Sequence, residues 1–145
     1  MINIGGAGSK VTIISVPTFP QGFTVTEFAT DTDPLVVDDV EINNTEVGVN
    51  GDVVNWKKAG LINIELSIIP NCESDKNLRI ILNSNRLAKN KVAIDDDITM
   101  IVSEADGTII TYSGGKLISG PSSNSISSDA KLRTKTYRFT FSNVI

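Results

Sequence analysis

The feature that most constrains the fold is a strict alternation of apolar and polar residues. Between positions 62 and 68, Ile or Leu occupies every even position, whereas the odd positions hold Asn63, Glu65 and Ser67. A period of two places successive side chains on opposite faces of a strand. Ile, Val and Thr supply 45 of the 145 residues, and their stiff β-branched side chains pack well on pleated sheets. The sequence therefore predicts a mainly β protein.

Two segments carry the turn residues of β-hairpins. Residues 43–56 turn at Asn50-Gly51, and residues 98–112 turn at Asp106-Gly107. Asn-Gly is a strong hairpin signal, and Asp-Gly is compatible with a type I′ turn. We therefore expect two antiparallel hairpins, one in each half of the chain.

The N-terminal segment predicts a short arm followed by a strand. Residues 1–10 are rich in glycine and are expected to form a flexible arm. Residues 10–15 are expected to form the first strand, which Pro17, Pro20 and Gly22 should end. A second, half-buried strand is expected to start at Gly22.

One helix is predicted, at residues 74–88. Ser74 is a suitable N-cap, and Leu78, Ile81 and Leu82 share one face. The helix lies between strands and marks no change of composition, so we expect the whole 145-residue chain to form a single domain.

The C-terminal quarter contains a polar stretch and a predicted final strand. Residues 113–129 are polar and rich in serine and glycine, and they include Lys116-Leu117-Ile118 and Gly120-Pro121. Residues 131–141 alternate again, with Tyr137, Phe139 and Phe141 on one face. This aromatic row is expected to seal the core.

The inventory of reactive side chains excludes most enzyme classes. The chain has no histidine, which removes Ser-His-Asp and Cys-His catalysis and the commonest metal ligand. The single cysteine, Cys72, closes no disulfide within the chain and builds no zinc site by itself. The acid runs at 95–97 and at Asp31 and Asp33 lack the spacing of a calcium loop. We expect no catalysis, no cofactor and no metal.

Charge is unevenly distributed along the chain. Residues 1–56 hold one base and eight acids, whereas residues 57–145 hold twelve bases and nine acids. If the fold keeps these segments apart, an acidic surface and a basic surface lie on different sides, and copies of the chain could stack. No run approaches the roughly 20 apolar residues that span a bilayer, and no secretory signal is visible.

The order of the segments resembles the small tail tube proteins of contractile-tailed bacteriophages. The resemblance covers nearly the whole chain and is carried by short signatures in a fixed order. These are Gly22-Phe23-Thr24-Val25-Thr26-Glu27-Phe28, Gly48-x-x-Gly51, Trp56-Lys57-Lys58-Ala59-Gly60, the alternating residues 61–69, the helix, Ala105-Asp106-Gly107, Gly115-x-Leu117-Ile118-x-x-Pro121 and Arg133-x-x-x-Tyr137-x-Phe139.

The resemblance implies a β-barrel or sandwich with one flanking helix, assembled into hexameric rings that stack head to tail as a tail tube. It implies a place in the virion tail after synthesis in the host cytoplasm. DNA would pass through the lumen, and the sheath, baseplate and tail terminator proteins would be partners. Lumen-lining candidates are Asn63, Glu65 and Ser67, and inter-subunit candidates are Lys10, Glu46, Asp52, Trp56, Lys116, Lys131 and Arg133.

Two alternatives from other classes stay open at this point. A β-sandwich recognition module would bind a cell-surface glycan through Trp56 and Tyr112, since aromatic rings stack on sugars. A glycosidase would use a carboxylate pair such as Glu65 and Glu104, because paired acids alone suffice for glycoside hydrolysis.

Overall fold

The protein is mainly β, as the sequence predicts. The computed structural model describes residues 5–145, and α1 is the one helix among them. In chain order the elements are β1 (Lys10–Val16), β2 (Phe19–Val25), β3 (Leu35–Val37), β4 (Asn43–Val47), β5 (Val53–Lys57), β6 (Ile62–Ile68), α1 (Glu73–Asn85), β7 (Asp97–Ser103), β8 (Ile109–Ser119), β9 (Lys135–Phe141) and β10 (Asn143–Val144).

Seven strands form one antiparallel path in the order β2-β1-β7-β8-β9-β6-β3, and β10 pairs with β8. The path curls back on itself just after β2. There, the Ala29 N–H donates to the Ser67 carbonyl at 3.1 Å, and the Ile69 N–H donates to the Glu27 carbonyl at 3.1 Å. Phe28 forms a bridge with Ile68 at the same place. The two ends of the sheet therefore meet at β6, which covers an edge that would otherwise invite aggregation.

The core fills the inside of this curled sheet. Strands β1, β7 and β9 bury every second side chain, in line with the period of two, and α1 closes one side with Leu78 and Ile81. The buried apolar residues of the strands are Val11, Ile13, Val25, Ile64, Leu66, Ile68, Ile98, Met100, Val102, Tyr112, Tyr137, Phe139 and Phe141.

A buried polar cluster ties the start of α1 to β9. Asp75 and Lys135 are both almost fully buried, and the Lys135 ammonium lies 3.0 Å from Asp75 Oδ2. The Tyr137 hydroxyl donates to Asp75 Oδ1 at 2.8 Å. Burial, followed by this hydrogen bond, raises the pKa of Tyr137 well above its ordinary value. The cluster keeps the buried carboxylate paired, which is a condition for burying a charge.

The first strand ends just before Pro17, as predicted, since β1 ends at Val16. The prediction that the second strand starts at Gly22 is wrong, because β2 starts at Phe19 and contains Pro20 and Gly22. The pairing of β1 with β2 shifts register between Ile13 and Ser15, and Gly22 adopts a positive φ of 76°. This is a bulge, where proline and glycine are tolerated within a strand.

The helix begins one residue earlier and ends three residues earlier than predicted. Its N-cap is Cys72, whose Sγ accepts a hydrogen bond from the Asp75 N–H at 3.3 Å. The predicted cap, Ser74, is buried instead and donates to the Thr24 carbonyl at 3.3 Å. Burial raises the pKa of the Cys72 thiol above its ordinary value, so the thiolate that would act as a nucleophile is disfavoured.

Strand β8 runs through the first part of the polar stretch at residues 113–129. It continues to Ser119 because Lys116 and Leu117 pair with β9. At its bend, a Cβ on Gly115 would overlap the ring of Phe141 and lie 2.9 Å from the Ile98 carbonyl oxygen. Only glycine fits there. The final strand is shorter than predicted, since β9 starts at Lys135 rather than at 131.

Candidate interaction surfaces

The hairpin of β4 and β5 projects from the barrel. Among the described residues, these two strands form a separate sheet and pair only with each other. Residues 49–61 are all exposed. Three valines at the tip are the most exposed, with Val47 at 73%, Val49 at 106% and Val53 at 70%. The predicted hairpin at residues 43–56 is therefore confirmed, and it has no core of its own.

The tip of the hairpin is a three-residue loop. The Gly51 N–H donates to the Gly48 carbonyl at 2.9 Å, and the Gly48 N–H donates to the Asp52 carbonyl at 2.7 Å. Gly51 adopts φ 86°, which is the left-handed conformation that closes such a loop after a type I turn. Asp52 is thereby fixed at the start of the returning strand.

The register divides the hairpin into two faces. Glu46 pairs with Val54, and Asn44 pairs with Trp56, so these four residues share one face, which we call the Trp56 face. Trp56 is 46% exposed and Val54 is 52% exposed. Trp56 therefore offers a large aromatic surface beside a carboxylate, the combination of aromatic anchor and polar group that interfaces favour.

The root of the hairpin is held to the barrel by close backbone contacts. The Asp38 N–H donates to the Asn63 carbonyl of β6 at 3.0 Å. Lys58 lies 2.8 Å from Glu41, and its hydrogen bond and charge hold the pKa of that carboxyl below its ordinary value. A Cβ on Gly60 would come within 2.8 Å of the Val40 side chain. The root is thus ordered, although the strands beyond it are solvated.

A polar, basic cleft of about 410 Å³ lies elsewhere on the barrel. Its lining includes three basic residues, Arg133, Lys135 and Arg138, and no acidic residue. A second cleft of about 330 Å³ shares Arg133 and adds Lys131, and two acids, Asp31 and Asp129, also line it. The first cleft, which we call the basic cleft, is lined by Ser119, Gly120, Pro121, Ser123, Ser125, Arg133, Thr134, Lys135, Thr136 and Arg138.

The hairpin and the basic cleft lie at opposite ends of β6. The first residue of β6, Ile62, follows the hairpin and pairs with Phe141, whereas its last residue, Ile68, pairs with Lys135 of the cleft. Six steps along a strand correspond to about 20 Å. The root of the hairpin and the basic cleft thus lie at opposite ends of the barrel, whereas Asp31, another acid of the N-terminal half, lies at the cleft's end and accepts a hydrogen bond from the Thr134 hydroxyl.

The predicted lumen-lining residues do not share one environment. Asn63 is exposed, and Glu65 is half-buried and forms an ion pair with Arg138 at 2.9 Å. Ser67 is buried and hydrogen-bonded to Thr136 at 2.9 Å. The expectation that this whole face meets water is therefore wrong at Ser67, because the chain from Ala29 to residue 34 covers it.

Two other predicted contact residues lie on the barrel itself. The Lys116 ammonium lies 2.9 Å from both Asp95 and Asp97, so its charge is already matched within the chain. Lys10 is exposed at the first position of β1, where the sequence predicts the first strand to begin. Residues 1–4 of the predicted N-terminal arm lie outside the described residues.

The three carboxylates at residues 95–97 make contacts within the chain. Asp96 is buried, accepts hydrogen bonds from the Thr18 hydroxyl at 2.6 Å and the Asn85 amide at 2.7 Å, and so links the β1–β2 turn to the end of α1. Across the part of the chain that the structure describes, no group of three metal-binding side chains comes together. No helix in the same part is long and apolar enough to cross a membrane.

The residue pair named for glycan binding is not brought together. Tyr112 is only 7% exposed and packs on Phe141 with ring centroids 5.5 Å apart, whereas Trp56 lies on the projecting hairpin. Of the proposed glycosidase pair, Glu65 is bound to Arg138, and Glu104 closes the β7–β8 turn with its backbone.

The fold of this chain is similar to that of a solved protein from a contractile injection system. The sheath/tube terminator of an extracellular contractile injection system, PVC, in its extended state aligns with a TM-score of 0.59 and 14% identity, covering 100% of this chain and 96% of that chain. The tube-terminating cap of the anti-feeding prophage aligns with a TM-score of 0.46 and 11% identity, covering 100% and 92%. None of the curated proteins matches.

The family model described as "Tail fiber protein gp32" matches residues 2–145. The chain therefore belongs to this tail-protein family. The predicted relation to phage tail proteins is therefore confirmed. Neither the family match nor the structural similarity shows that the chain is a tail tube protein in particular.

Proposed function

We propose that this protein is a structural subunit of a contractile tail that associates with copies of itself through the β4–β5 hairpin. The copies form hexameric rings that stack head to tail as a conduit for DNA, with the sheath, baseplate and terminator proteins as neighbours. The observation that carries the proposal is the hairpin itself, whose apolar and aromatic side chains are exposed on both faces.

The physical argument is that this hairpin is incomplete in one chain. An isolated two-stranded hairpin is at best marginally stable in water, and its exposed edges and apolar side chains invite pairing. Because the hairpin and the basic cleft lie at opposite ends of β6, contact between copies joins unlike surfaces. Such heterologous contacts generate rings when they close and filaments when they do not.

A second candidate is a ring that ends the tube rather than one that repeats along it. The full-length likeness to the PVC sheath/tube terminator favours this role, since the two folds match over 100% and 96% of the chains. The family description favours a third position, in or beside the tail fibers. All three are structural roles, and we propose no enzymatic activity for the chain.

Self-association is tested by electron microscopy and sedimentation velocity on purified protein over a range of concentration and salt. Rings or rods are expected. The variant Val49→Asp with Val53→Asp places two charges on the hairpin tip and should leave monomers. The matched control is Leu87→Asp with Val92→Asp, since these side chains are also highly exposed, at 80% and 91%, but lie outside the hairpin. Monomeric wild-type protein under all conditions would contradict the proposal.

Copy number in purified particles separates the three positions. A repeating tube subunit is present in many rings, a terminator in one ring, and a fiber protein in numbers set by the fibers. Quantitative mass spectrometry against a known single-ring protein gives this ratio. A ratio well above one ring favours the tube, whereas a ratio of one favours the terminator.

A further inference from the structure

The basic cleft holds one positive charge that the chain does not neutralise. Lys135 is paired with Asp75 at 3.0 Å, and Arg138 is paired with Glu65 at 2.9 Å. The Arg133 side chain makes no ion pair or hydrogen bond with any described residue, and only its backbone N–H is bonded, to the Ser125 carbonyl at 2.8 Å. Arg133 is exposed and lines both clefts.

The surroundings of Arg133 suit an anionic group on a partner. The basic cleft has no acidic lining residue, and Ser119, Ser123 and Ser125 supply hydroxyl groups. Guanidinium and hydroxyl donors together match the acceptor oxygens of a carboxylate. Lys131, two residues earlier, is a second exposed base, and it lines the adjoining cleft together with Asp31 and Asp129.

The hairpin carries the complementary charges. Glu46 lies at the centre of the Trp56 face, directly opposite Val54, and Asp52 lies at the tip. Both side chains are exposed, and neither forms an ion pair with another residue of the described chain. The hairpin beyond its root therefore presents two unmatched carboxylates beside an exposed tryptophan.

We propose that the hairpin of one copy docks in the basic cleft of a neighbouring copy, with Glu46 and Asp52 facing Arg133 and Lys131. The cleft and the root of the hairpin lie about 20 Å apart along β6, at opposite ends of one barrel, so a second copy is the occupant that the charges fit. This inference rests on the proposed function, because it specifies the acceptor for the self-association described there.

A charge swap tests the docking. The cleft variant is Lys131→Glu with Arg133→Glu, and the hairpin variant is Glu46→Arg with Asp52→Arg. Each places like charges at the contact, so each alone should weaken self-association at least about tenfold in sedimentation velocity. The control is Lys76→Glu with Lys89→Glu, which makes the same charge change at two exposed positions outside both clefts.

Mixing the two variants in equal amounts should restore assembly, because every contact between unlike variants is then complementary. The quadruple variant, which carries all four substitutions in one chain, should assemble as the wild type does. Rescue also excludes misfolding as the cause of the loss, and melting temperatures of the single variants provide a second check.

Two results would overturn the inference without touching the proposed function. One is wild-type-like assembly of the cleft variant. The other is loss in both variants with no rescue on mixing or in the quadruple variant. If the cleft variant assembles normally but no longer binds duplex DNA, the cleft binds the DNA phosphates rather than the hairpin. Failure of the wild type itself to assemble would contradict the proposed function rather than this contact.

Discussion

The β4–β5 and β7–β8 hairpins close with the same turn but differ in everything that stabilises them. In the second hairpin the Gly107 N–H donates to the Glu104 carbonyl at 3.0 Å, and the Glu104 N–H donates to the Thr108 carbonyl at 2.8 Å. Gly107 has a φ of 94°, whereas Asp106 does not have a positive φ. The turn is therefore not of type I′, which needs a positive φ at both central residues. Both loops are type I turns followed by a left-handed glycine.

The difference lies in what the strands face. β7 buries Ile98, Met100 and Val102 in the barrel and pairs with β1 on its other edge. Strand β4 has no continuous apolar face, and all its residues except Asn44 are exposed. Turn chemistry thus specifies that a hairpin forms, whereas burial decides whether it is stable in the single chain. Substitutions at matched positions of the two hairpins measure this contrast.

The largest contrast is expected between the aromatic residues of the two hairpins. Tyr112→Ala removes a buried ring that packs on Phe141, and should cost about 3–4 kcal/mol in the free energy of unfolding. Trp56→Ala should leave the unfolding of dilute, unassembled protein unchanged and weaken assembly. Urea denaturation gives the free energy of unfolding of each variant. An equal cost for Trp56→Ala would mean that the hairpin already packs on its own barrel.

A smaller contrast is expected between two glycines that do not need a left-handed backbone. Gly115→Ala forces a Cβ against Phe141 and the Ile98 carbonyl, and should cost about 2–3 kcal/mol by overpacking. A Cβ on Gly48 would make an ordinary contact at 3.5 Å with the Asp52 carbonyl. Gly48→Ala should therefore leave the melting temperature as it is. A neutral Gly115→Ala would show that the bend of β8 is looser than described.

The turn glycines of the two hairpins, Gly51 and Gly107, are more closely matched to each other. Each has a positive φ and open space where a Cβ would lie. Ala at either site is strained by about 1–2 kcal/mol. Gly107→Ala should lower the global free energy of unfolding by this amount, since β7 and β8 belong to the barrel. Gly51→Ala should lower only the local stability of its hairpin, which amide exchange detects and denaturant midpoints do not.

The smallest contrast concerns one carboxyl at the root of the first hairpin and one in the turn of the second. The pKa of Glu41 is lowered by its hydrogen bond to Lys58 and by the charge of Lys58, whereas the pKa of Asp106 is lowered by the Thr108 N–H. A carboxyl whose pKa is lower in the folded than in the unfolded protein stabilises the fold at pH values above its unfolded pKa. This stabilisation is lost as the pH falls through the folded pKa.

Salt should separate the two carboxyls, because it screens charge more than it weakens a backbone hydrogen bond. In NMR titrations at high salt, the pKa of Glu41 should move toward its ordinary value more than that of Asp106. Lys58→Met should raise the pKa of Glu41 and leave Asp106 unchanged. Equal salt responses would show that the Lys58 pair has no role at the root.

Much of the barrel was predictable, because alternation reports burial directly. Strand β6 and the aromatic row of β9 follow the period of two. The same period places position 135 on the face of Tyr137, so the burial of Lys135 had a visible signal, although its partner Asp75 on α1 did not. The three-residue β3 and two-residue β10 are too short to show a pattern.

Other features depend on contacts between distant segments. Ser74 is a good cap by residue type, but its hydroxyl is used by Thr24. Ser67 points to the polar side of β6 as predicted, and only the chain near Pro34 makes that side buried. For the interaction surfaces, Glu46, Asp52, Lys131 and Arg133 were identifiable as charged residues. Their placement at opposite ends of the barrel required the strand register.

The account rests on the β4–β5 hairpin being completed by a neighbouring copy, and amide hydrogen exchange measures this most directly. In dilute monomer, residues 43–57 should exchange rapidly while residues 97–119 stay protected. In the assembled particle, residues 43–57 should become protected. Protection of the hairpin in the monomer, or rapid exchange that persists after assembly, would contradict the account.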